Sequence, residues 1–490
     1  MEGGSSLAAV VRNGGGMNQA PGAVGAATYN YRFASPSALM STPRFSFSPD
    51  QLRTMSAAVL AQAKVQGASA AEVEISEGVG LSVSVRKGEV ETIEHNRDKG
   101  VSVTVYIGQR KGFASTSDFS AAALKTTVEA ARNIARFTAE DDCAGLADPA
   151  LLAKDVADPH LLYPWDLDVP RAIEIACATE AAAFKVSPMI RNSEGASVSA
   201  QQSQFVYANS HGFTGGYPSS RHYVSVSVIA AKSARAKNAM QRDDWYASAR
   251  DANDFPASAK IGDYAARRAL ARIGSRRIST RQCAVLFEAP LATGLVGSLV
   301  SAVSGGSLYR KTTFLLDSLG KRVFPKNITL TEDPNVRKGF ASGPFDGEGV
   351  ATRKRDIVRN GELKGYFLGS YSARKLGMTS TGNAGGSHNL VLQPTVRDDF
   401  AAMLKRLGTG LLVTDLIGHG VNMTTGDYSR GAAGFWVEKG EIVHPVEEIT
   451  IAGNLKDMFL GVAAVGSDLI TRGSTTTGSM LIERMTVAGE

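Results

Sequence analysis

Leu81, Val83 and Val85 alternate with polar residues. After Lys87-Gly88 the alternation returns through Val90, Thr92 and Glu94, and beyond Lys99-Gly100 it runs through Val101, Val103, Val105 and Ile107. A period of two, broken by turn residues, specifies an antiparallel meander that buries one face. That face needs a cover, and the flanking segments supply it. Leu52, Met55, Val59 and Ala63 recur at helical spacing over 50–66, opened by Ser48-Pro49 and stopped by Gly67. A second helix is predicted over about 119–137, capped by Asp118, with Leu124, Val128, Ala131 and Ile134 on one stripe.

The pattern then repeats. After a Pro-marked linker at 148–164, a helix is expected over 168–186, with Asp168 at its cap and Pro170 in its first turn. Strands follow around 196–208 and 222–230, and a helix over 257–273 stops at Gly274. From Cys283 onward, strands and turns dominate. Asn360-Gly361 and Lys439-Gly440 are hairpin signals, and short helices are predicted at 291–303, 397–407 and 454–462. The expected class is α+β: an N-terminal mixed α/β region with antiparallel meanders, then a β-rich C-terminal domain. The expected division is a disordered tail at 1–48, an N-terminal α+β domain at 49–147, a middle α+β domain at 163–274, and the β-rich domain at 278–490.

A chain of 490 residues has room for two or three cores. The net charge of +6 is carried in part by Arg12, Arg32 and Arg44, opposed in their stretch only by Glu2. The balanced remainder argues against direct nucleic-acid binding. Arg276-Arg277 with Arg281, and Arg353-Lys354-Arg355, read as solvated turns or strand edges. Cys143, Cys177 and Cys283 are widely spaced and odd in number, which points to a reducing compartment, the cytoplasm. No apolar run reaches the ~18–20 residues of a spanning helix. Residues 1–48 have no secretory pattern, and an alternative start near Met40 or Met55 is compatible with the sequence.

Few catalytic constellations survive inspection. The seven histidines are His95, His160, His211, His222, His388, His419 and His444, and no two are helically spaced around a glutamate. His211 and His222 flank a predicted turn and read as solvated. His419, in the loop Ile417-Gly418-His419-Gly420, is a candidate for lining a groove. No nucleophile elbow, phosphate-binding loop or dinucleotide fingerprint stands in the required context.

Longer stretches carry more information. Ser304-Gly305-Gly306-Ser307-Leu308-Tyr309-Arg310-Lys311-Thr312-Thr313-Phe314 is one. Ser370-Tyr371-Ser372-Ala373-Arg374-Lys375-Leu376-Gly377, followed by Thr381-Gly382-Asn383-Ala384-Gly385-Gly386, is another. The longest runs from Gly426 through Asp427-Tyr428-Ser429-Arg430-Gly431 to Val437 and resumes over Ile449–Leu455. With these stretches and the meander near 73–115, the chain resembles the PmbA (TldE) branch of the TldD/PmbA metallopeptidase family over roughly residues 50–490.

The resemblance implies a zinc peptidase assembly. In the TldD-like branch, His-Glu-x-x-x-His on a helix and a late cysteine hold zinc. Counting back from Arg310, the helical motif falls on Val296, Gly297 and Ser301, and the cysteine on Thr477. No catalytic residue and no metal are therefore expected in this chain, and zinc is expected in a TldD-like partner. The implied function is a heterodimer that degrades or processes small unfolded peptides. Asp427, Tyr428, Ser429, Arg430 and Gly431 are the groove candidates, with Arg430 available for a peptide carboxylate or carbonyl and the segment offering a strand edge to an extended peptide; the equal alternative is a run of tight turns with Arg430 in a structural ion pair. The alternatives are a catalytic subunit with other ligands, a non-catalytic homodimeric scaffold, and a gyrase-modulating binding protein.

Overall fold

Ser48 caps the first helix with a reciprocal capping box: its hydroxyl accepts from Gln51 N, and the Gln51 side chain accepts from Ser48 N. The structure, a computed structural model, describes residues 45–154, 156–233 and 240–489. The expectation for residues 1–48 lies outside the described residues except at Phe45–Ser48. Two of these four are tied to the sheet: the amides of Ser46 and Phe47 donate to the Glu77 carboxylate at 2.5 and 3.3 Å.

The N-terminal half contains α1 (Pro49–Val65), β1 (Ala70–Arg86), β2 (Glu89–Ile107), β3 (Arg110–Thr116), α2 (Ala121–Phe137), α3 (Val169–Val186), β4 (Ile190–Asn209), β5 (Thr214–Gly215), β6 (Pro218–Ala230), β7 (Gln241–Ala249) and α4 (Ser258–Ala271). Its strands form one seven-stranded antiparallel sheet in the order β3-β2-β1-β4-β6-β7, with β5 on β4. The two α+β units read from the sequence share this sheet, because β1 pairs with β4 from Glu72↔Asn209 to Val85↔Ala196. Helices cover one face. α1 and α2 pack on Val73, Ile75, Val101 and Val103, while α3 and α4 pack on Leu81, Val83, Val224 and Val226.

Two details differ from expectation. Lys99-Gly100 is not a turn: β2 runs straight through it, since Gly100 and Lys99 pair with Ser76 and Glu77 of the long partner strand. Ser120 rather than Asp118 caps α2. Its hydroxyl accepts from Ala123 N at 3.3 Å, and Asp118 supports the cap by accepting from Ser120 N. The turn at Lys87-Gly88 is present, with φ of +54° and +78°.

The C-terminal half contains β8 (Arg281–Phe287), α5 (Ala289–Ala302), α6 (Gly305–Tyr309), β9 (Leu330–Asp333), β10 (Arg355–Arg359), β11 (Glu362–Leu363), α7 (Ser370–Lys375), β12 (Asn389–Leu392), α8 (Phe400–Leu407), β13 (Gly410–Ile417), β14 (Asp427–Glu438), β15 (Glu441–Asn454), α9 (Leu455–Leu460), β16 (Val462–Val465), β17 (Ile470–Arg472), β18 (Thr475–Thr477) and β19 (Met480–Ala488). One sheet runs β11-β10-β9-β12-β18-β17 and the other β15-β14-β13-β8-β19-β16. β15 also pairs with β19, so β8, β13, β14, β15 and β19 close into a small barrel.

This half is not strictly β-rich, which corrects the sequence expectation. Five helices intervene, and each sheet contains a parallel pair, β12 with β18 and β13 with β8. Parallel neighbours require crossover connections, and the chain uses α5 and α8 among them. α6 and α7 were missed because five- and six-residue helices carry too little periodicity to see.

Candidate functional site

α5 carries Val296, Gly297 and Ser301, the positions that the resemblance matches to a metal-binding helix. Ala292, Leu295, Val296, Leu299 and Ala302 bury one side of it in the C-terminal core. Gly297 and Ser301 lie on the exposed side. Val296 and Ser301 are five residues apart, so their side chains point about 140° from each other at about 100° per residue. The Ser298 and Ser301 hydroxyls donate back to the carbonyls of Gly294 and Gly297 at 3.1 and 2.9 Å. β17 and β18 pack against α5, so the fold does bring the strand of Thr477 to this helix. Thr477 itself is fully buried, and its hydroxyl donates to Gly478 O at 3.1 Å.

Zinc requires imidazole, thiolate or carboxylate ligands. A buried valine, a glycine and two hydroxyls already bonded to carbonyls do not fit it. Among the described residues, no three His, Cys, Asp or Glu side chains gather as a metal-ligand cluster.

The candidate groove segment lies elsewhere, at the start of β14. Its edges are both occupied, which corrects the idea of a free strand edge there. β15 pairs along one side from Asp427↔Asn454 to Gly431↔Thr450. On the other side, Ser429 N donates to Gly420 O at 2.6 Å and Asn422 N to Asp427 O at 2.8 Å. Asp427 accepts from Thr425 Oγ1 and Asn454 Nδ2 at 2.6 and 3.2 Å. Asp427, Ser429 and His419 are exposed, whereas Tyr428 points inward, its hydroxyl pushed up to about 12 by burial. Arg430 is half-buried, reaching Leu416 O at 3.4 Å.

Three further histidines sit against main-chain carbonyls. His222 is fully buried, against the expectation of a solvated pair, with Nε2 2.8 Å from Tyr163 O and its ring edge-on to Trp165. His211 stays at the surface with Nδ1 3.0 Å from Ala147 O. The ring nitrogens of His388 lie 3.1 and 2.9 Å from Ala341 O and Gly382 O.

The recognisable stretches act largely as clasps. Gly305 abuts Ser372, where a Cβ would come within 2.4 Å of that side chain, so the 304–314 and 370–377 stretches interlock. Arg374 donates to the carbonyls of Cys143, Gly145 and Leu146, while Tyr371 and Lys375 hold Asp141 at 2.7 and 2.9 Å. In the 381–386 stretch, Asn383 donates to buried Glu332, which also binds Arg355. Arg355 is thus part of the interior, not a solvated strand edge.

Nearby, Asp346 accepts from the amides of Glu348, Val350 and Ala384, yet burial raises its carboxyl to about 6. A carboxyl raised on folding binds its proton more tightly in the native state. Its contribution is therefore full below about pH 4 and is lost as pH rises through about 6. Asp346→Asn is expected to flatten this decline in unfolding curves measured between pH 4 and 7.

A charged network beside α5 was not read from the sequence. Arg268 of α4 donates to Asp243 at 2.9 Å, to both oxygens of Glu288 at 2.8 and 2.9 Å, and to Thr414 O at 3.1 Å. Arg272 reaches Asp415 at 3.0 Å and Asp243 at 3.5 Å. Burial pushes Arg268 down, but Glu288 and Asp243 outweigh it and hold the guanidinium well above its ordinary value. The available signal was the placement of Arg268 and Arg272 at helical spacing with Ile261 and Ala265 on the buried side of α4. Glu288 immediately precedes α5, so the network fixes that helix against the middle of the chain.

Known proteins share this architecture. The chain matches the PmbA/TldA metallopeptidase domain 1 over residues 71–135, its central domain over 162–273 and its C-terminal domain over 280–489. It is 49% identical to "Metalloprotease PmbA" of Escherichia coli O157:H7 over 431 residues, covering 88% of this chain and 94% of that protein. It is 46% identical to a PmbA homolog of Haemophilus influenzae, covering 86% and 93%. A solved structure described as a proposed modulator of DNA gyrase, from Bacteroides thetaiotaomicron, superposes with a TM-score of 0.84 at 26% identity, covering 90% and 99%. TldE from Thermococcus kodakarensis shares the fold, with a TM-score of 0.72 at 20% identity, covering 90% and 99%. An α+β scaffold shared with the PmbA/TldA metallopeptidases is the class these features define. The chain belongs to the PmbA/TldA metallopeptidase family, closely related to its PmbA members.

Proposed function

We propose that this chain is the non-metallated subunit of a two-subunit zinc peptidase in the cytoplasm, paired with a TldD-like chain that supplies zinc and the water-activating glutamate. The pair degrades or processes small unfolded peptides. The observation that carries this reading is the donor chemistry of α5. Val296 packs in the core, Gly297 has no side chain, Ser301 bonds to its own helix, and Thr477 is buried. A subunit that keeps the helix and the adjoining strands but not the ligands contributes walls and substrate contacts. β17, the outermost strand of its sheet and packed on α5, is the edge best placed to meet an extended peptide. Asp427, Ser429 and His419 are accessible for further contacts. The three cysteines are free, which fits a reducing compartment.

A second reading, a metal-free homodimeric scaffold that modulates gyrase, draws on the description given to the Bacteroides relative. One experiment separates the two. Metal content and cleavage of an unfolded peptide are measured on this chain alone and on the chain co-purified with a TldD-like subunit. The expected result is no zinc and no cleavage alone, and one zinc with cleavage for the pair. Stoichiometric zinc in the isolated chain would overturn the reading, and so would an inert, metal-free pair.

A further inference from the structure

A cleft of about 360 Å³ lies beside the start of α5, where Pro290 and Leu291 form one wall and Arg472 of β17 another. Arg472 is laid flat against aromatic rings. Its guanidinium carbon is 4.2 Å from the Trp245 ring centre and 3.9 Å from that of Tyr246, and one nitrogen donates to Tyr246 O at 3.0 Å. Stacking fixes the planar fork without using its remaining N–H donors. The other guanidinia of the cleft are matched by carboxylates: Arg268 by Asp243 and Glu288, Arg272 by Asp243 and Asp415, Arg242 by Glu194. Among the described residues, Arg472 has no carboxylate within ion-pair distance.

Two further polar atoms belong to residues of the same walls and lack a partner. Thr414 Oγ1 and Arg272 Nε are buried without a hydrogen-bond partner, in residues that are each 9% exposed. Arg Nε only donates, while a threonine hydroxyl can donate or accept, so the unmet donors of the two arginines set the character of the cleft and Thr414 can follow it. Leaving such groups unmet is costly; an acceptor-only anion meets the open Arg472 donors directly, and Thr414 and Arg272, in the wall behind, reach it by turning their side chains toward the cleft. Asp243 and Asp415 are neutralised by their arginines; Asp244 also lines the cleft, and burial followed by the neighbouring Asp243 raises its carboxyl, favouring the neutral form that does not repel an anion.

We infer that this cleft binds a peptide carboxylate, held by the free edge of Arg472 and backed by the unmet donors of Thr414 and Arg272 in the wall. The inference rests on the reading of the chain as a peptide-handling subunit. It adds that substrates carry a carboxylate that docks beside α5, supplied by the chain terminus or by an acidic side chain.

The test uses tetraalanine as the free acid, tetraalanine amide, and an amidated tetrapeptide with one internal Glu. Each is titrated against the intact chain by calorimetry and then supplied as a competitor to the assembled complex. The free acid is expected to bind about tenfold or more tightly than the amide. Tight binding of the Glu peptide identifies a side-chain carboxylate as the source, and weak binding identifies the terminus. Arg472→Gln and the near-isosteric Thr414→Val should each shrink the acid–amide difference while the unfolding midpoint of Thr414→Val stays near wild type. Equal binding of acid and amide by the wild-type chain overturns the inference, as does inorganic phosphate binding more tightly than the acid. A loss of affinity for acid and amide alike in both variants also overturns it. Titration of the isolated chain reads the cleft even if the complex has no peptidase activity, so failure of the functional reading is distinguishable from failure of this one.

Discussion

Glu332→Gln is expected to destabilise the C-terminal half by about 3–5 kcal/mol, the cost of removing one partner from a buried ion pair. Glu332 lies on β9, between β10 and β12, and is 1% exposed. One carboxylate oxygen accepts from Arg355 Nε at 2.8 Å, and the other accepts from Asn383 Nδ2 and His388 N at 2.7 and 2.8 Å. Arg355 Nη2 donates to Tyr366 O and Asn383 Oδ1. Glutamine keeps the volume but leaves the Arg355 cation in the interior without its anion. Guanidinium unfolding measures the effect through the transition midpoint at constant slope. A loss below about 1 kcal/mol, the scale of exposed pairs, would mean that the network is solvated.

Arg268→Met acts at the junction of α4 with α5. It removes the cation that faces Asp243 and Glu288 and also the stacking over Trp245 and Tyr264. The expected loss at neutral pH is again about 3–5 kcal/mol, and it should depend on pH. Burial already pushes the Glu288 carboxyl up, with Arg268 pulling it back down. Without Arg268 the folded carboxyl rises further, so its proton is bound more tightly in the native state than in the unfolded chain. Stability in the variant is therefore best near and below the unfolded value of 4.5 and falls as pH rises through the elevated folded value. Denaturation at pH 5 and pH 8 checks this, and a deficit that is the same at both would sink the account.

Much of the N-terminal half was legible because its signals are local. Ser48-Pro49, Asp168-Val169-Pro170 and Lys87-Gly88 act within a few residues, and helical or two-residue periodicity needs only its own segment. The error at Lys99-Gly100 has a physical basis. A glycine in an isolated sequence suggests a turn, whereas here the partner strand β1 is long enough to hold Gly100 extended. The C-terminal half was harder. Its parallel pairs join residues as distant as Ala284 and Gly410, and such pairing leaves no mark on either segment.

The candidate site divides in the same way. That Val296, Gly297 and Ser301 offer no metal ligand set follows from residue identity alone. Whether Asp427–Gly431 has an open edge does not, since that depends on Gly420 and Asn422 folding back onto it. The clasp roles of Arg374 and Asn383 were equally invisible, because the groups they hold lie far away in the chain.

The sequence by itself determined that Val296, Gly297 and Ser301 carry no metal-ligating side chain, the family the chain resembles and most of its N-terminal elements, because these depend on side-chain identity and short-range periodicity. Only the tertiary structure decided that two α+β units share one sheet, that a five-stranded barrel closes, that Arg355 and His222 are interior, and that Arg472, Thr414 and Arg272 face one cleft. Each of those outcomes is set by burial and by pairing between distant segments, and neither quantity exists until the chain has folded.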